Sequence, residues 1–280
     1  MSMLGRTVAV TGANGGIGSH TALALVKLGA HVVLVCRLQQ RADEATAFIR
    51  ANAPGALVSS LAADLSRLAD IRRLARDLAA AHPRLSVLVN NAGAICRRRV
   101  ITEDGFELTW AVNHIAPFLL STQLLDVLRA NAPARIVNVN SDSHLHGTID
   151  FGDLNAERGF WPPRAYERSK LANVLFTKEL ARRVDPAQVT VNALHPGLVN
   201  TDFGEVGGIV EFGWRVYKHF GITPAEGART PVYLATSPEV AGKTGGYYRK
   251  CLLGPVNPLA EDAELAKRLW EQTARAVRGA

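Results

Sequence analysis

Short, nearly continuous apolar runs alternate with longer helical patterns along almost the whole chain, and few architectures accept that rhythm. Thr7–Thr11, His31–Cys36, Ala56–Ala62, Val87–Asn90, Arg135–Asn140 and Val189–Leu194 read as strands. A strand that is apolar on both faces has to be covered on both, which is the situation of a strand in a parallel sheet. Between the strands, Ser19–Leu28, Leu68–Ala80, Ile115–Arg129 and Arg164–Arg183 read as helices, with Glu261–Val277 as a closing one. In Arg164–Arg183 the residues Ala165, Leu171, Ala172, Leu175, Phe176 and Leu180 give the wide apolar face that a packed helix needs. Repeated strand–helix–strand units with right-handed crossovers predict a doubly wound α/β fold, a parallel sheet with helices on both faces. No Pro-, Gly- or Ser-rich linker and no internal repeat divides the 280 residues, so one domain over 1–280 is expected.

Composition removes several classes of function. At 48% hydrophobic and 20% charged residues the chain is ordinary for a compact domain and wrong for a disordered one. Its three cysteines, Cys36, Cys96 and Cys251, are widely separated and form no CxxC pair, which suits a reducing, cytoplasmic setting. Met1–Val10 runs directly into a strand without the charged and apolar regions of a secretory signal, and no membrane-length apolar run occurs. The net charge of +7 is spread over dispersed arginines, densest at Arg72-Arg73 and Arg97-Arg98-Arg99, without the interleaved aromatics of a nucleic-acid face. His144 and His146 lack a third ligand at metal spacing, so no metal site is expected. Two segments break the rhythm: the polar stretch Asp142–Pro163, and Thr201–Gly221, whose glycines and aromatics suit a cover over a substrate site.

After the first strand comes Thr11-Gly12-Ala13-Asn14-Gly15-Gly16-Ile17-Gly18, and then a helix. A strand, a glycine turn and a helix N-terminus present backbone N–H groups and a favourable dipole to an anion, and missing Cβ atoms let a pyrophosphate approach. Gly12, Gly16 and Gly18 carry that role, with Asn14, Gly15 and Ile17 in the same turn. At the end of the second strand an acidic residue would accept from a ribose 2′-hydroxyl and repel a 2′-phosphate. That end reads Val35-Cys36-Arg37. An arginine there, with its planar fork of donors, favours NADP(H) over NAD(H).

Tyr166 and Lys170 are four residues apart and share a helix face. A phenol titrates near 10, and a nearby ammonium and a cationic nicotinamide favour its ionised form. Asn90-Asn91-Ala92-Gly93 ends the fourth strand, Ser141 ends the fifth, and Asn113 lies in the helix between. Strand C-termini are where open α/β sheets bind ligands. Taken together, the ordered set TGxxxGxG, NNAG, Asn113, Ser141 and YxxxK, spanning residues 11 to 170, resembles the short-chain dehydrogenase/reductase family. His195-Pro196-Gly197-Leu198-Val199-Asn200-Thr201 looks like the family segment beside the nicotinamide. Ser169–Phe176 and the stretch around Ser237-Pro238-Glu239-Val240 resemble its retinol-dehydrogenase-like branch, so that residues 4 to 276 are covered.

The resemblance implies a Rossmann-type sheet and a role for each matching residue. Tyr166 would pass the proton to or from the substrate oxygen, and Lys170 would lower the pKa of Tyr166 and hold the nicotinamide ribose. Ser141 would hydrogen-bond the substrate oxygen, and Asn113 would hold a water linking Lys170 to solvent. Asp64, followed by Leu65, would touch the adenine, and Asn90, followed by Ala92 and Gly93, the ribose side of the cofactor. Pro196, Gly197, Val199 and Thr201 would flank the nicotinamide, with Thr201 on its carboxamide. Homodimers or homotetramers built through Ile115–Arg129 and Arg164–Arg183 also follow from the resemblance. The interval from Ser141 to Tyr166 is longer than in typical members, and strand alternation leaves Ser143 as a second candidate serine; Asn140 stands where many relatives have serine.

The expected activity is therefore hydride transfer between a nicotinamide and a carbonyl or alcohol carbon of a small, apolar substrate. Two other readings stay open: a cofactor-binding regulator, and a redox-neutral catalyst on the same fold.

Overall fold

The computed structural model describes residues 2–198 and 221–279. Six strands, β1 (Thr7–Thr11), β2 (His31–Cys36), β3 (Val58–Ala62), β4 (Leu85–Asn90), β5 (Ala134–Val139) and β6 (Val189–His195), fall where the apolar runs put them, within two residues at either end. Two short strands complete the sheet, β7 (Tyr247–Arg249) and β8 (Leu252–Leu253). Among the described residues the sheet has eight strands in the order β3-β2-β1-β4-β5-β6-β7-β8. Every pairing is parallel except β7 with β8, which is antiparallel, so the expectation of a parallel sheet is corrected at one edge. Lys250 and Cys251 turn that hairpin with φ 51 and 65, a conformation no apolar-run pattern announces. Chain direction across the sheet reverses between β1 and β4, which opens a crevice at their C-terminal ends.

Among the described residues the helices are α1 (Gly16–Lys27), α2 (Gln39–Asn52), α3 (Leu68–Ala81), α4 (Leu108–Trp110), α5 (Ala116–Gln123), α6 (Leu125–Ala130), α7 (Pro162–Arg183), α8 (Pro224–Gly227), α9 (Arg229–Thr236) and α10 (Ala263–Gly279). They cover both faces of the sheet. One apolar core joins Val8, Val10, Val32 and Leu34 to Leu25 of α1, Ile49 of α2 and Leu234 of α9. The other joins Ala9, Val33 and Leu88 to Leu74 of α3, Leu120 of α5, Leu175 of α7 and Leu269 of α10. Alternate residues of the same strands thus face opposite cores, which is why the strands read as continuous apolar runs. Among the described residues no helix is long and apolar enough to cross a membrane.

The helix expected over Ile115–Arg129 is interrupted. It begins as α4, widens into a π-turn over Ala111–Ile115, continues as α5, and is offset again at Leu124. A π-turn inserts one residue into the helical ladder and re-aims the side chains that follow it. Here it carries Asn113 and His114. His114 is buried, 1% exposed, among Trp110, Phe118 and Phe176, and its Nε2 lies 2.9 Å from Thr273 Oγ1 of α10. α10 in turn packs Trp270 against Phe118 and under the guanidinium of Arg183, so it covers part of α7.

Burial pulls the His114 imidazole down to about 3 from its ordinary 6.5. The folded protein therefore keeps it neutral where the unfolded chain protonates, and this penalty on folding grows as the pH falls below 6.5. At pH 5 it amounts to about 2 kcal/mol. Urea unfolding of the wild type and His114→Gln at pH 7 and pH 5 should show the wild type losing about that much more stability on acidification. Equal losses in both proteins would contradict a buried neutral histidine.

Candidate active site

The crevice is organised by a contact with no room for side chains. The Gly12 N–H donates to Val35 O at 2.8 Å, fixing the glycine turn to β2, and the turn passes through left-handed conformations at Gly12, φ 64, and Gly16, φ 51. A Cβ on Gly12 would sit 2.9 Å from Ala92 Cα, and one on Gly18 2.3 Å from Gly12 O and 2.5 Å from Asn91 Nδ2. Asn91 fills the join. Its Nδ2 donates to Thr11 O at 2.8 Å and Gly12 O at 3.1 Å, while Thr11 Oγ1 accepts from the N–H groups of Asn91 and Ala92, both at 3.0 Å. Neither Thr11 nor the side chain of Asn91 stands out from sequence as more than part of a motif, because their partners lie some eighty residues away.

Above this join the turn is open. Asn14 and Gly15 are exposed, a Cβ on Gly15 would meet nothing within 4 Å, and α1 begins without a side-chain cap on its first N–H groups. Free N–H groups at a helix start with empty space in front of them suit a pyrophosphate. Ile17 is half-buried behind the turn, and Arg37 stands exposed immediately after β2, with no acidic side chain at that strand end. Cys36 is buried beside the turn, and burial pushes its thiol up to about 11, so it is not a nucleophile. Past β3, Asp64 Oδ1 accepts from Ser66 N–H at 2.9 Å and from the Ser66 hydroxyl at 2.7 Å, which fixes the carboxylate beside half-buried Leu65.

Asn90 is placed differently from Ala92 and Gly93. Its side-chain amide is buried and donates to Ser121 Oγ and Asn138 Oδ1, and Asn138 continues the chain to Thr177 of α7. Only its backbone end of β4 is left to face the crevice. Ala92 and Gly93 are half-buried at the crevice itself. Pro196 and Gly197 follow β6; Gly197 has φ 99, and a Cβ there would meet the end of the Ile222 side chain at 2.6 Å. Val199, Thr201 and the expected cover over 201–221, apart from Gly221, lie outside the described residues.

On the other side of the switch point, α7 carries Tyr166 and Lys170 to the ends of β5 and β6. Lys170 is 4% exposed; its Nζ donates to Val139 O at 3.4 Å and lies 5.4 Å from the centre of the Tyr166 ring. Burial lowers Lys170 to about 8. Burial raises the Tyr166 phenol to about 12, against the pull of a hydrogen bond with the Ser141 hydroxyl. Ser141 stands two residues past β5, capping a 3₁₀ turn over Asp142–His146, and its Oγ accepts from Ser143 N–H at 3.2 Å. The two serine hydroxyls are 3.1 Å apart, so both belong to the site, but it is Ser141 that bonds the tyrosine. Asn140 Nδ2 donates to Lys170 O at 3.0 Å and thereby ties α7 to β5. Asn113 uses its whole amide in fixing its surroundings: Nδ2 donates to Ala94 O and Ser169 Oγ, each at 2.9 Å, and Oδ1 accepts from Ala94 N–H at 2.8 Å. His144 is buried with Nδ1 against Ser141 O at 2.8 Å, and among the described residues no group of side chains could hold a metal.

The family described as short chain dehydrogenase matches residues 6–206. The chain belongs to the short-chain dehydrogenase family. Human retinol dehydrogenase 14 is 42% identical to it, over 96% of this chain and 85% of the relative, and human retinol dehydrogenase 13 is 42% identical over 98% and 85%. The chain is thus in the retinol-dehydrogenase-like branch. A crystal structure of an uncharacterised protein from Mycobacterium paratuberculosis superposes with a TM-score of 0.77 at 30% identity, covering 99% of this chain and 95% of that one. A Beutenbergia cavernae protein described as an NAD(P) dependent gluconate 5-dehydrogenase, solved with NADP bound, gives a TM-score of 0.69 at 28% identity over 89% and 96%. As a member of this family the protein is an oxidoreductase of alcohol and carbonyl groups that uses a nicotinamide dinucleotide.

The glycine turn separates into a packed half at Gly18 and an open half at Gly15. Gly18→Ala should destabilise the fold by about 1–3 kcal/mol because backbone blocks its Cβ. Gly15→Ala should leave the melting temperature within a few degrees but weaken dinucleotide binding by about tenfold. Thermal unfolding with and without dinucleotide, followed by fluorescence titration, checks both; a tolerant Gly18 or an indifferent Gly15 would go against this division.

Proposed function

We propose that the protein is an NADP(H)-dependent dehydrogenase/reductase of a bulky, apolar alcohol or carbonyl compound, with Tyr166 as its proton donor and acceptor. One observation carries this reading: the Tyr166 phenol, bonded to the Ser141 hydroxyl and lying over a buried Lys170 ammonium, stands at the strand ends that also hold the glycine turn. The open cradle at Gly15 and the uncapped start of α1 fit a dinucleotide pyrophosphate, and Arg37 fits a 2′-phosphate. Asp64 and Leu65 would border the adenine; the backbone after Asn90, with Ala92 and Gly93, would border the ribose. Pro196, Gly197, Val199 and Thr201 would complete the nicotinamide side.

The dinucleotide, when bound, supplies the hydride. The chain supplies the proton and the polarisation. At neutral pH Tyr166 is protonated, as a donor to a developing alkoxide must be, and Ser141 lends a second hydrogen bond to the same oxygen. Lys170, depressed but still cationic at pH 7, holds positive charge below the phenol and stabilises the phenolate left after the proton has gone. Asn113 keeps the π-turn beside Ser169 and Ala94 in register with α7, so that Lys170 and any water on it stay in place. The names of the retinol dehydrogenases, and the aromatics of 201–221, support an apolar substrate.

With a panel of bulky apolar aldehydes and ketones, NADPH oxidation is expected, and Tyr166→Phe should lower kcat by about a thousandfold, within the usual range for the loss of one positioned acid–base group. Reduction should slow as the pH rises through about 8, where Lys170 loses its charge. Arg37→Asp should weaken NADPH binding by about 10–100-fold and improve that of NADH. Tighter NADH than NADPH binding in the wild type would overturn the cofactor assignment, and an active Tyr166→Phe would overturn the mechanism.

A further inference from the structure

Directly after Ser141, the side chain of Asp142 leaves the catalytic turn and joins it to the far strands of the sheet. Asp142 Oδ1 accepts from the Tyr247 hydroxyl at 3.1 Å, and Oδ2 lies 3.2 Å from Arg249 Nε, both residues being on β7. The ring of His195, at the end of β6, lies along the same residue: its Nδ1 accepts from Asp142 N–H at 3.4 Å and its Nε2 is 3.7 Å from Oδ2. His144, on the turn itself, packs its ring against that of Tyr247, the centroids 4.4 Å apart and the planes tilted by 49°. One carboxylate therefore gathers β6, β7 and the catalytic turn at a single point.

The placement matters because the turn has little stiffness of its own. It is five residues of 3₁₀ helix following a strand that ends two residues earlier. At its far end Asn257 Nδ2 donates to the carbonyls of His144, Leu145 and Gly147, at 3.0–3.1 Å. At its near end the side-chain polar links to β6 and β7 are those of Asp142, beside the ring contact of His144 with Tyr247. Arg249 is half exposed and Asp142 partly so, and exposed ion pairs add little to fold stability. What the cluster can do is hold geometry, and a hydroxyl that must meet a developing oxyanion within a few tenths of an ångström is sensitive to geometry.

We propose that Asp142 is a positioning residue for the catalytic serine: by clamping the turn to Tyr247, Arg249 and His195 it fixes where the Ser141 hydroxyl stands relative to Tyr166. This rests on Ser141 being the hydroxyl that polarises the substrate oxygen. Asp142 does not touch the reacting atoms, so its effect has to pass through Ser141.

The test is a double-mutant cycle on the full chain, with NADPH and whichever carbonyl compound of the panel is turned over. Asp142→Ala should lower kcat by about 10–50-fold with the KM for NADPH unchanged within twofold and the melting temperature within a few degrees. Asp142→Asn, which still accepts from Tyr247, should recover most of that loss. In a Ser141→Ala background Asp142→Ala should cost less than twofold more. Should Asp142→Ala fail to fold, Arg249→Ala and Tyr247→Phe cut the same clamp from its other side and enter the same cycle, with the same expected non-additivity. A fully active Ser141→Ala would remove the serine assignment and this inference with it. An impaired Ser141→Ala combined with an additive Asp142→Ala, or an Asp142→Ala as active as wild type, would overturn the inference alone.

Discussion

The site depends on the place where the glycine turn meets the end of β4. Gly18 has a carbonyl oxygen of Gly12 where its own Cβ would be, and Asn91 threads its amide between the two backbones. With no side chain to keep them apart, β1 and β4 bring the anion-binding turn and the Asn90–Gly93 segment into one crevice. At the ends of the adjacent strands β5 and β6 stand Ser141 and the proposed proton donor Tyr166 with Lys170, at the same edge. A larger residue at Gly18 would push these halves apart, and every distance between cofactor-side and proton-side groups would change with it.

On the proton side, burial sets the electrostatics. Lys170 and Tyr166 are shifted in opposite directions, down to about 8 and up to about 12, each toward its neutral form. That is the expected response of two groups in a low-dielectric pocket. The Ser141 hydrogen bond offsets part of the shift on the phenol, whereas Lys170 makes its own long contact to a backbone carbonyl. Resting protonation is therefore that of a proton donor. In the proposed mechanism, favouring the phenolate in the opposite direction would fall to Lys170, aided by the positive charge an oxidised nicotinamide would bring.

Several groups around the site hold others in position. Asn140 ties the catalytic helix to β5, Asn113 ties the π-turn to Ser169 and Ala94, and His114 ties the same turn to α10 through Thr273. Asp142 does the same for the serine turn. These links come from elements far apart in the chain, and together they tie a site built on strand ends and turns to the sheet beneath it.

From sequence alone, the six long strands, the glycine turn, the absence of an acid after β2 and the Tyr166–Lys170 spacing were all determined, because each is a local pattern with a period or a motif of its own. Strands covered on both faces have to be apolar throughout, and residues four apart on a helix have to share a face. Local pattern could not supply β7 and β8, which are two or three residues long and turn through non-glycine residues in left-handed conformations. Nor could it turn the Asn90 side chain inward, break the helix before α5 into a π-turn, or choose between Ser141 and Ser143. Those outcomes depend on partners such as Ser121, Asn138, Thr273 and Tyr166, which only the folded chain brings within hydrogen-bonding distance.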